Sequence, residues 1–100
     1  MVNKNGIYKT IQILEGHKRI VFSVIEMKDG KLATTSDDKT IRIWENKDGI
    51  YQTIQVLEGH KDFVNSLIEM KDRKLATAFG DTTIRIWKNK DGLYQTIQIL

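Results

Sequence analysis

The hydrophobic positions of the chain fall into short stretches that fit β-strands better than helices. Ile7–Leu14 alternates in part and is rich in Ile and Thr, and Thr40–Trp44 alternates between apolar and polar positions. Ile20–Ile25 is a nearly unbroken apolar run, which is typical of a strand covered on both faces. Lys31–Thr35 is a shorter segment of the same kind. Because no stretch of helical period is long enough to define a helix, the pattern predicts an all-β chain.

Turn residues separate these segments. Asp29-Gly30 is a strong hairpin signal between the second and third segments, because glycine adopts positive φ at little cost. Ser36–Lys39 predicts the next tight turn, and Lys47–Gly49 predicts the one after it. In the second half of the chain Arg73 stands where Gly30 stands in the first. If that position needs positive φ, Arg73 strains its hairpin by about 1 kcal/mol; a turn type without this requirement is the alternative.

The segments and turns recur after 43 residues. Residues 7–49 and 50–92 are identical at 31 of 43 positions, and residues 93–100 begin a third copy. A period of about 40–45 residues, with Gly-His near its start and Trp near its end, is typical of a propeller blade. A ring of blades needs about four to eight of them. Two repeats therefore raise the question of what covers the two end faces.

Composition narrows the classes of function. The chain has no cysteine, which excludes a disulfide framework and a thiolate metal site. Residues 1–8 lack the apolar run of a signal peptide, and no stretch reaches the roughly 18 apolar residues of a membrane helix. We therefore expect a cytoplasmic protein with no membrane partner. The net charge is +3, but the lysines are spread along the chain, so nucleic acid is not the partner we expect.

The repeat resembles the WD-repeat β-propeller family over nearly the whole chain. The residues that carry the resemblance are Gly16-His17, Val21–Val24, Leu32–Thr34, Asp38 and Thr40–Trp44 in the first unit, and Gly59-His60, Val64–Leu67, Leu75–Thr77, Asp81 and Thr83–Trp87 in the second. The family's usual Asp after the Trp is replaced by Glu45 and Lys88. The resemblance implies an all-β fold of two four-stranded antiparallel propeller blades and an extra outer strand, completed to a ring by association of several chains.

In this family the strand before the Gly-His pair is the outer strand of the preceding blade. The resemblance therefore implies an outer strand within residues 1–14, a first blade unit at residues 15–57 and a second at residues 58–100. The strands of the two blades themselves lie within residues 20–57 and 63–100. The outer strand at residues 1–14 has no blade of its own in this chain.

Each unit carries a His, a Thr, an Asp and a Trp at positions that the resemblance assigns to a buried hydrogen-bond network. These residues are His17, Thr34, Asp38 and Trp44, and His60, Thr77, Asp81 and Trp87. A hydroxyl, an imidazole and a carboxylate also invite interpretation as a catalytic triad. Since the set is duplicated once per blade and no oxyanion donors accompany it, we expect a structural role and no enzymatic activity. We expect no cofactor and no metal site.

The positions at which the two units differ are candidates for contacts with a partner. Most of the differences cluster at the start of the inner strand and around the turn before the Trp strand, which the propeller scheme places towards one rim. The alternative is drift at tolerant loop positions. The candidate partner-binding residues are Arg19, Ile20, Phe22, Asp37, Asp62, Phe63, Asn65 and Phe79. Phe63 and Phe79 are the preferred anchors because exposed aromatic side chains often dominate interfaces.

These inferences predict a non-catalytic propeller unit that self-assembles into a closed ring and serves as a protein–protein interaction scaffold. We expect a homo-oligomer, a tetramer with eight blades first and a trimer with six second, with a protein or peptide ligand at the rim. One alternative is a fragment or engineered repeat of a longer propeller with no activity beyond self-assembly. A remote alternative is a hydrolase that uses His17 or His60.

Overall fold

The computed structural model describes residue 10 and residues 12–58, 62–80 and 82–100. In these ranges the chain forms eight β-strands in two four-stranded sheets and contains no helix. The first sheet consists of β1 (Val21–Glu26), β2 (Leu32–Ser36), β3 (Ile41–Lys47) and β4 (Ile50–Leu57). The second sheet consists of β5 (Val64–Glu69), β6 (Leu75–Phe79), β7 (Ile84–Lys90) and β8 (Leu93–Ile99).

Both sheets are antiparallel meanders in which each strand pairs with the next along the chain. The prediction of an all-β fold with two four-stranded antiparallel blades is thus confirmed. The predicted outer strand Ile7–Leu14 is different: residues 7–9 and 11 lie outside the described residues, and the part from Thr10 to Leu14 that is described belongs to neither sheet. The expectation of a strand is wrong at residues 10 and 12–14, and the outer strand stays a prediction for the remaining residues, which lie outside the described ranges.

The hairpin turns follow the predicted chemistry. At the β1–β2 turn the amide of Met27 donates to the carbonyl of Lys31 at 2.8 Å, and Gly30 has a φ of 90°. Arg73, at the matching turn of the second sheet, has a φ of 72°. This position therefore needs positive φ in both sheets, and the strained alternative for Arg73 is the correct one.

Each sheet contains two irregularities at matching positions. The register between the first and second strands shifts between Val21 and Ser23 in the first sheet and between Val64 and Ser66 in the second. The register between the third and fourth strands shifts beside the tryptophan in both sheets. An extra residue in one strand bends it and increases its twist, which suits blades that radiate from an axis.

The two sheets pack face to face and share one hydrophobic core. Met27, Ile41 and Leu57 contribute from the first sheet, and Val64, Leu67, Leu75 and Tyr94 contribute from the second. Polar contacts border this core. The amide of Lys28 donates to Glu69 Oε1 at 2.7 Å, and Lys28 Nζ donates to the carbonyl of Lys71 at 3.1 Å.

Matching positions of the two sheets differ in exposure according to which face meets the other sheet. Leu67 is 3% exposed, whereas Val24, 43 residues earlier, is 59% exposed. Ile41 is fully buried, whereas Ile84 is 40% exposed. The expectation that Ile20–Ile25 is covered on both faces is therefore wrong for the single chain, because no strand formed by the described residues lies on the far side of β1.

These differences define two uncovered faces. The leading face of the first sheet presents Val21, Val24 and Leu32, whose counterparts Val64, Leu67 and Leu75 are buried between the sheets. The trailing face of the second sheet presents Ile68, Ile84 and Leu100, whose counterparts Ile25, Ile41 and Leu57 are more deeply buried between the sheets.

Candidate functional site

The first unit contains a continuous chain of four hydrogen-bonded side chains. Trp44 Nε1 donates to Thr34 Oγ1 at 2.9 Å. Thr34 Oγ1 lies 2.7 Å from His17 Nε2, and His17 Nδ1 lies 2.9 Å from Asp38 Oδ2. Strand β3 positions the tryptophan, β2 positions the threonine, and the two loops that flank β1 and β2 position the histidine and the aspartate. We call this set the tetrad.

For a neutral imidazole, donor and acceptor counting assigns the protons of the tetrad. An indole N–H can only donate, so Thr34 Oγ1 accepts from Trp44 and its own proton is free to go to His17 Nε2. The other ring nitrogen, Nδ1, then carries the proton that is donated to the Asp38 carboxylate. This arrangement gives each of the polar groups a partner while the imidazole is neutral.

Asp38 receives more hydrogen bonds than the tetrad alone supplies. The amide of Lys18 donates to Oδ2 at 3.1 Å, the amide of Thr40 donates to Oδ1 at 2.9 Å, and the Thr40 hydroxyl also donates to Oδ1. Burial raises the pKa of Asp38, but the hydrogen bonds from Thr40, His17 and Lys18 outweigh it and lower the pKa to about 2. The carboxylate therefore stays ionised at neutral pH and ties the loop before β1 to the β2–β3 turn.

The second unit repeats the part of the tetrad that the structure describes. Trp87 Nε1 donates to Thr77 Oγ1 at 2.9 Å, and Thr77 is fully buried. His60 and Asp81, the remaining members predicted for this unit, lie outside the described residues. The structural role assigned to both sets of four residues stays a prediction.

A cavity of about 430 Å³ lies beside the first tetrad, between loops of the two sheets. Four of the eight candidate partner-binding residues line it: Arg19, Asp37, Asp62 and Phe63. Arg19 Nε donates to Asp37 Oδ2 at 2.7 Å, although the arginine side chain remains 66% exposed. Lys18, Asp38 and Lys39 complete the lining. The cavity is therefore rich in charge of both signs and has one aromatic wall.

Three further candidates lie outside this lining. Ile20 and Phe22 are exposed, and the Phe22 ring lies 5.7 Å from the ring of Phe63, centroid to centroid, across the two sheets. Asn65, the counterpart of Phe22, is exposed on β5. Their binding roles stay predictions.

The prediction that Phe79 is an exposed anchor is wrong. The side chain is 5% exposed and belongs to the hydrophobic core, with the Arg85 guanidinium 5.7 Å from the centre of its ring. Its counterpart Ser36 is also fully buried, and there the hydroxyl donates to the carbonyl of Ile20 at 2.8 Å. The position is interior in both sheets, and the second unit fills it with an aromatic ring.

Part of the variation between the units is a coupled change in packing. The amide of Asp37 donates to the carbonyl of Ile20 at 2.9 Å, and the amide of Gly80 donates to the carbonyl of Phe63 at 3.1 Å, so the backbones match. A Cβ atom at Gly80 would lie 2.8 Å from the Phe63 ring. Phenylalanine in one loop therefore favours glycine in the other, which accounts for these two differences without a partner.

Contacts between the sheets at the outer strands were not foreseen. Gln55 bonds to both main-chain groups of Tyr94: Nε2 donates to the carbonyl at 3.1 Å, and Oε1 accepts from the amide at 2.9 Å. Gln12 makes the same pair of bonds with Tyr51, at 3.1 and 3.0 Å. The available signal was that glutamine and tyrosine both recur with the repeat.

No group of three or more His, Cys, Asp or Glu side chains among the described residues could hold a metal ion. The same residues contain no helix that is long and apolar enough to cross a membrane.

Comparison with known families connects these features. Residues 8–45 and 51–88 match the family model described as the WD domain, G-beta repeat. A search of curated proteins gave no match. Each matched range starts before the Gly-His pair and ends just after the tryptophan, so it contains the first three strands of one sheet, and the second range also contains most of β4, the outer strand of the first sheet. Because the two ranges together cover more than half of the chain, and the chain folds into two four-stranded antiparallel sheets, the chain belongs to the WD-repeat family.

Proposed function

We propose that this chain is a non-catalytic, two-bladed interaction module that associates head to tail with further copies of itself into a closed ring. WD domains generally mediate protein–protein interactions and are generally non-enzymatic. Self-association is the step that goes beyond this general role. The observation that supports it is the exposure of the leading and trailing faces.

The leading and trailing faces are complementary because the two units have nearly the same sequence. The contact between the sheets joins the trailing face of the first sheet to the leading face of the second. Because the units share most of their residues, the trailing face of the second sheet in one copy matches the leading face of the first sheet in another. Contiguous apolar surface of this kind normally marks an interaction site. A heterologous contact of this type closes into a ring if its rotation suits a whole number of copies.

Polar groups at the edge of the contact support the same pairing. Lys28 bonds to Glu69 and to the carbonyl of Lys71 within the chain. The matching residues on the uncovered faces are Lys71 and Glu26, both exposed. A second copy therefore offers its Glu26 carboxylate to the amide of Lys71 and its Lys28 carbonyl to Lys71 Nζ, in the same arrangement as within the chain.

The proposed number of copies per ring rests on the number of blades in WD-repeat propellers more than on the described residues. WD-repeat propellers commonly have seven or eight blades, so four copies with eight blades are favoured and three copies with six are second. At 11.6 kDa per chain, these assemblies have masses of about 46 and about 35 kDa.

Light scattering coupled to size-exclusion chromatography tests this proposal. The wild-type chain is expected at a multiple of 11.6 kDa. Ile68→Glu places a charge on the trailing face, where the side chain is 58% exposed, and is expected to give the monomer while leaving the circular dichroism spectrum unchanged. Leu93→Glu is the matched control, because Leu93 and its counterpart Ile50 are 53% and 57% exposed and so lie outside the contact. A wild-type monomer at all concentrations contradicts the proposal.

The loop cavity supports the second half of the proposed role. Its charged lining and its aromatic wall at Phe63 suit a protein or peptide segment better than an apolar ligand. Arg19 is the most testable contact, because its side chain is 66% exposed and already ordered by Asp37. Arg19→Ala is expected to weaken capture of a partner without changing the mass of the assembly.

The hydrolase alternative has less support. Thr34, the only hydroxyl within reach of His17 Nε2 in the first tetrad, is 6% exposed and accepts the Trp44 proton. It lines neither of the two cavities that border Asp38. A nucleophile in this position has no substrate access, which favours a structural role for the tetrad.

A further inference from the structure

The main chain of Tyr51 is bound in an unusual way. The side-chain amide of Gln12 takes both of its polar groups, donating to the carbonyl at 3.1 Å and accepting from the amide at 3.0 Å. A glutamine amide that does this replaces the two bonds that a neighbouring strand would make. Tyr51 lies on β4, the outer strand of the first sheet.

The same arrangement occurs once more, and there it joins the two sheets. Gln55 on β4 binds both main-chain groups of Tyr94 on β8. Gln12 precedes Gln55 by 43 residues, and Tyr51 precedes Tyr94 by the same number. Relative to the first sheet, Gln12 therefore takes the position that the outer strand of a preceding blade takes relative to the next.

The third copy of this glutamine has no such partner. Gln98 on β8 is exposed, and its side chain makes no hydrogen bond within the described parts of the chain. By the same spacing its partner is the tyrosine of the blade that follows the second sheet. In the head-to-tail association proposed above, that tyrosine is Tyr51 of a second copy.

The main chain of Tyr51 cannot bind both glutamines in this way, because its amide has only one proton to donate and that proton is already donated to Gln12 Oε1. Leu14 and Leu100 of a second copy also compete for one position. Leu14 is partly buried in the chain, and its counterparts are Leu57, which is buried between the sheets, and Leu100, which is exposed on the trailing face. The segment of residues 12–14 thus lies where the β8 strand of a second copy has to dock.

We propose that Gln12 and Gln98 of a second copy compete for the main chain of Tyr51, so that residues 12–14 act as an intramolecular brake on assembly. This inference rests on the proposed self-association. It means that each association event exchanges two hydrogen bonds within a chain for two equivalent bonds between chains. The apolar faces then provide the net gain, and the concentration at which rings form is set by how firmly the segment is held.

Three single variants of the full chain test the competition, each measured by the concentration at half-association in analytical ultracentrifugation. Gln12→Ala removes the competitor and is expected to lower that concentration by about tenfold, the effect of one to two neutral hydrogen bonds. Gln98→Ala removes the bonds between chains and is expected to raise it by about the same factor. Gln95→Ala is the matched control on β8, since Gln95 is exposed and makes no side-chain hydrogen bond in the described parts of the chain.

Each outcome has a defined meaning. Association that is unchanged or weakened by Gln12→Ala overturns the competition while leaving self-association intact, because Gln12 then either has no role or belongs to the ring contact. An effect of Gln98→Ala equal to that of Gln95→Ala also overturns it. Failure of the wild type and all three variants to associate overturns the proposed self-association and this inference together. A wild type that associates, together with a Gln12→Ala variant that associates at a lower concentration, supports both.

Discussion

Two adjacent threonines on β2 provide a controlled test of the tetrad. Thr34 and Thr35 are both buried, at 6% and 0% exposure, but their hydroxyls differ completely. Thr34 Oγ1 forms hydrogen bonds with Trp44 and His17, whereas Thr35 Oγ1 makes no hydrogen bond with the described residues. Valine has nearly the shape of threonine, so Thr→Val at each position removes a hydroxyl with little change in packing.

The expected changes have opposite signs. Thr34→Val leaves the Trp44 indole N–H and His17 Nε2 unpaired in a buried site. At about 1–3 kcal/mol for each unsatisfied group, relieved in part by rearrangement, we expect a loss of about 2–4 kcal/mol in the free energy of unfolding. Thr35→Val removes a hydroxyl that is buried without a partner, so we expect no loss and a gain of up to about 1 kcal/mol. The counterpart of Thr35 is already apolar, at Ala78.

Urea unfolding followed by tryptophan fluorescence measures both variants against the wild type at a fixed chain concentration. The slope of the free energy against urea should be the same for all three proteins, so the difference appears in the midpoint. Equal midpoints for the two variants would refute the argument that the tetrad stabilises the first sheet through Thr34. A double variant with His17→Ala adds a further check: its loss should be smaller than the sum of the single losses, because both changes break the same hydrogen bond.

Two further predictions concern pH and backbone strain. The pKa of Asp38 is about 2 in the folded chain against 3.8 for the free side chain. Its stabilising contribution is therefore complete above about pH 5 and is lost as the pH falls through 2. Acid titration of the free energy of unfolding should show about 1–2 kcal/mol of this loss in the wild type and not in Asp38→Asn. Arg73→Gly relieves a φ of 72° and should raise the free energy of unfolding by about 1 kcal/mol. Gly30→Arg, at a φ of 90° with open space around it, should lower the free energy of unfolding by a similar amount. Thermal unfolding measures both variants, and equal melting temperatures for the two would exclude strain at these turns.

The sequence predicted the strands and turns because both depend on local chemistry. The alternation in Thr40–Trp44 and the Asp-Gly pair at residues 29 and 30 act over a few residues, and the repeat made each signal appear twice. The requirement for positive φ at Arg73 could only be posed as an alternative. The identity of a side chain does not determine its backbone angle, whereas the hairpin register does.

The site was less predictable where it depends on contacts between the sheets. Phe79 differs from its counterpart Ser36, and a difference between copies suggested exposure, but burial is set by the sheet that covers the position and not by the residue that fills it. The change from Ile20 to Phe63 could be explained only when the ring was seen to need the space above Gly80. Likewise, the role of Gln55 requires knowing that its side chain on β4 reaches Tyr94 on β8 of the other sheet.

The central claim is that the trailing face of one copy binds the leading face of another, and a mixing experiment tests it most directly. Val24→Glu places a charge on the leading face, and Ile68→Glu places one on the trailing face; each variant alone retains one intact face and should be a monomer. Mixed in equal amounts, they still present one intact pair of complementary faces. Light scattering should then find a 1:1 heterodimer of about 23 kDa that does not grow further. A mixture that stays at 11.6 kDa, or a variant that associates by itself, contradicts head-to-tail assembly.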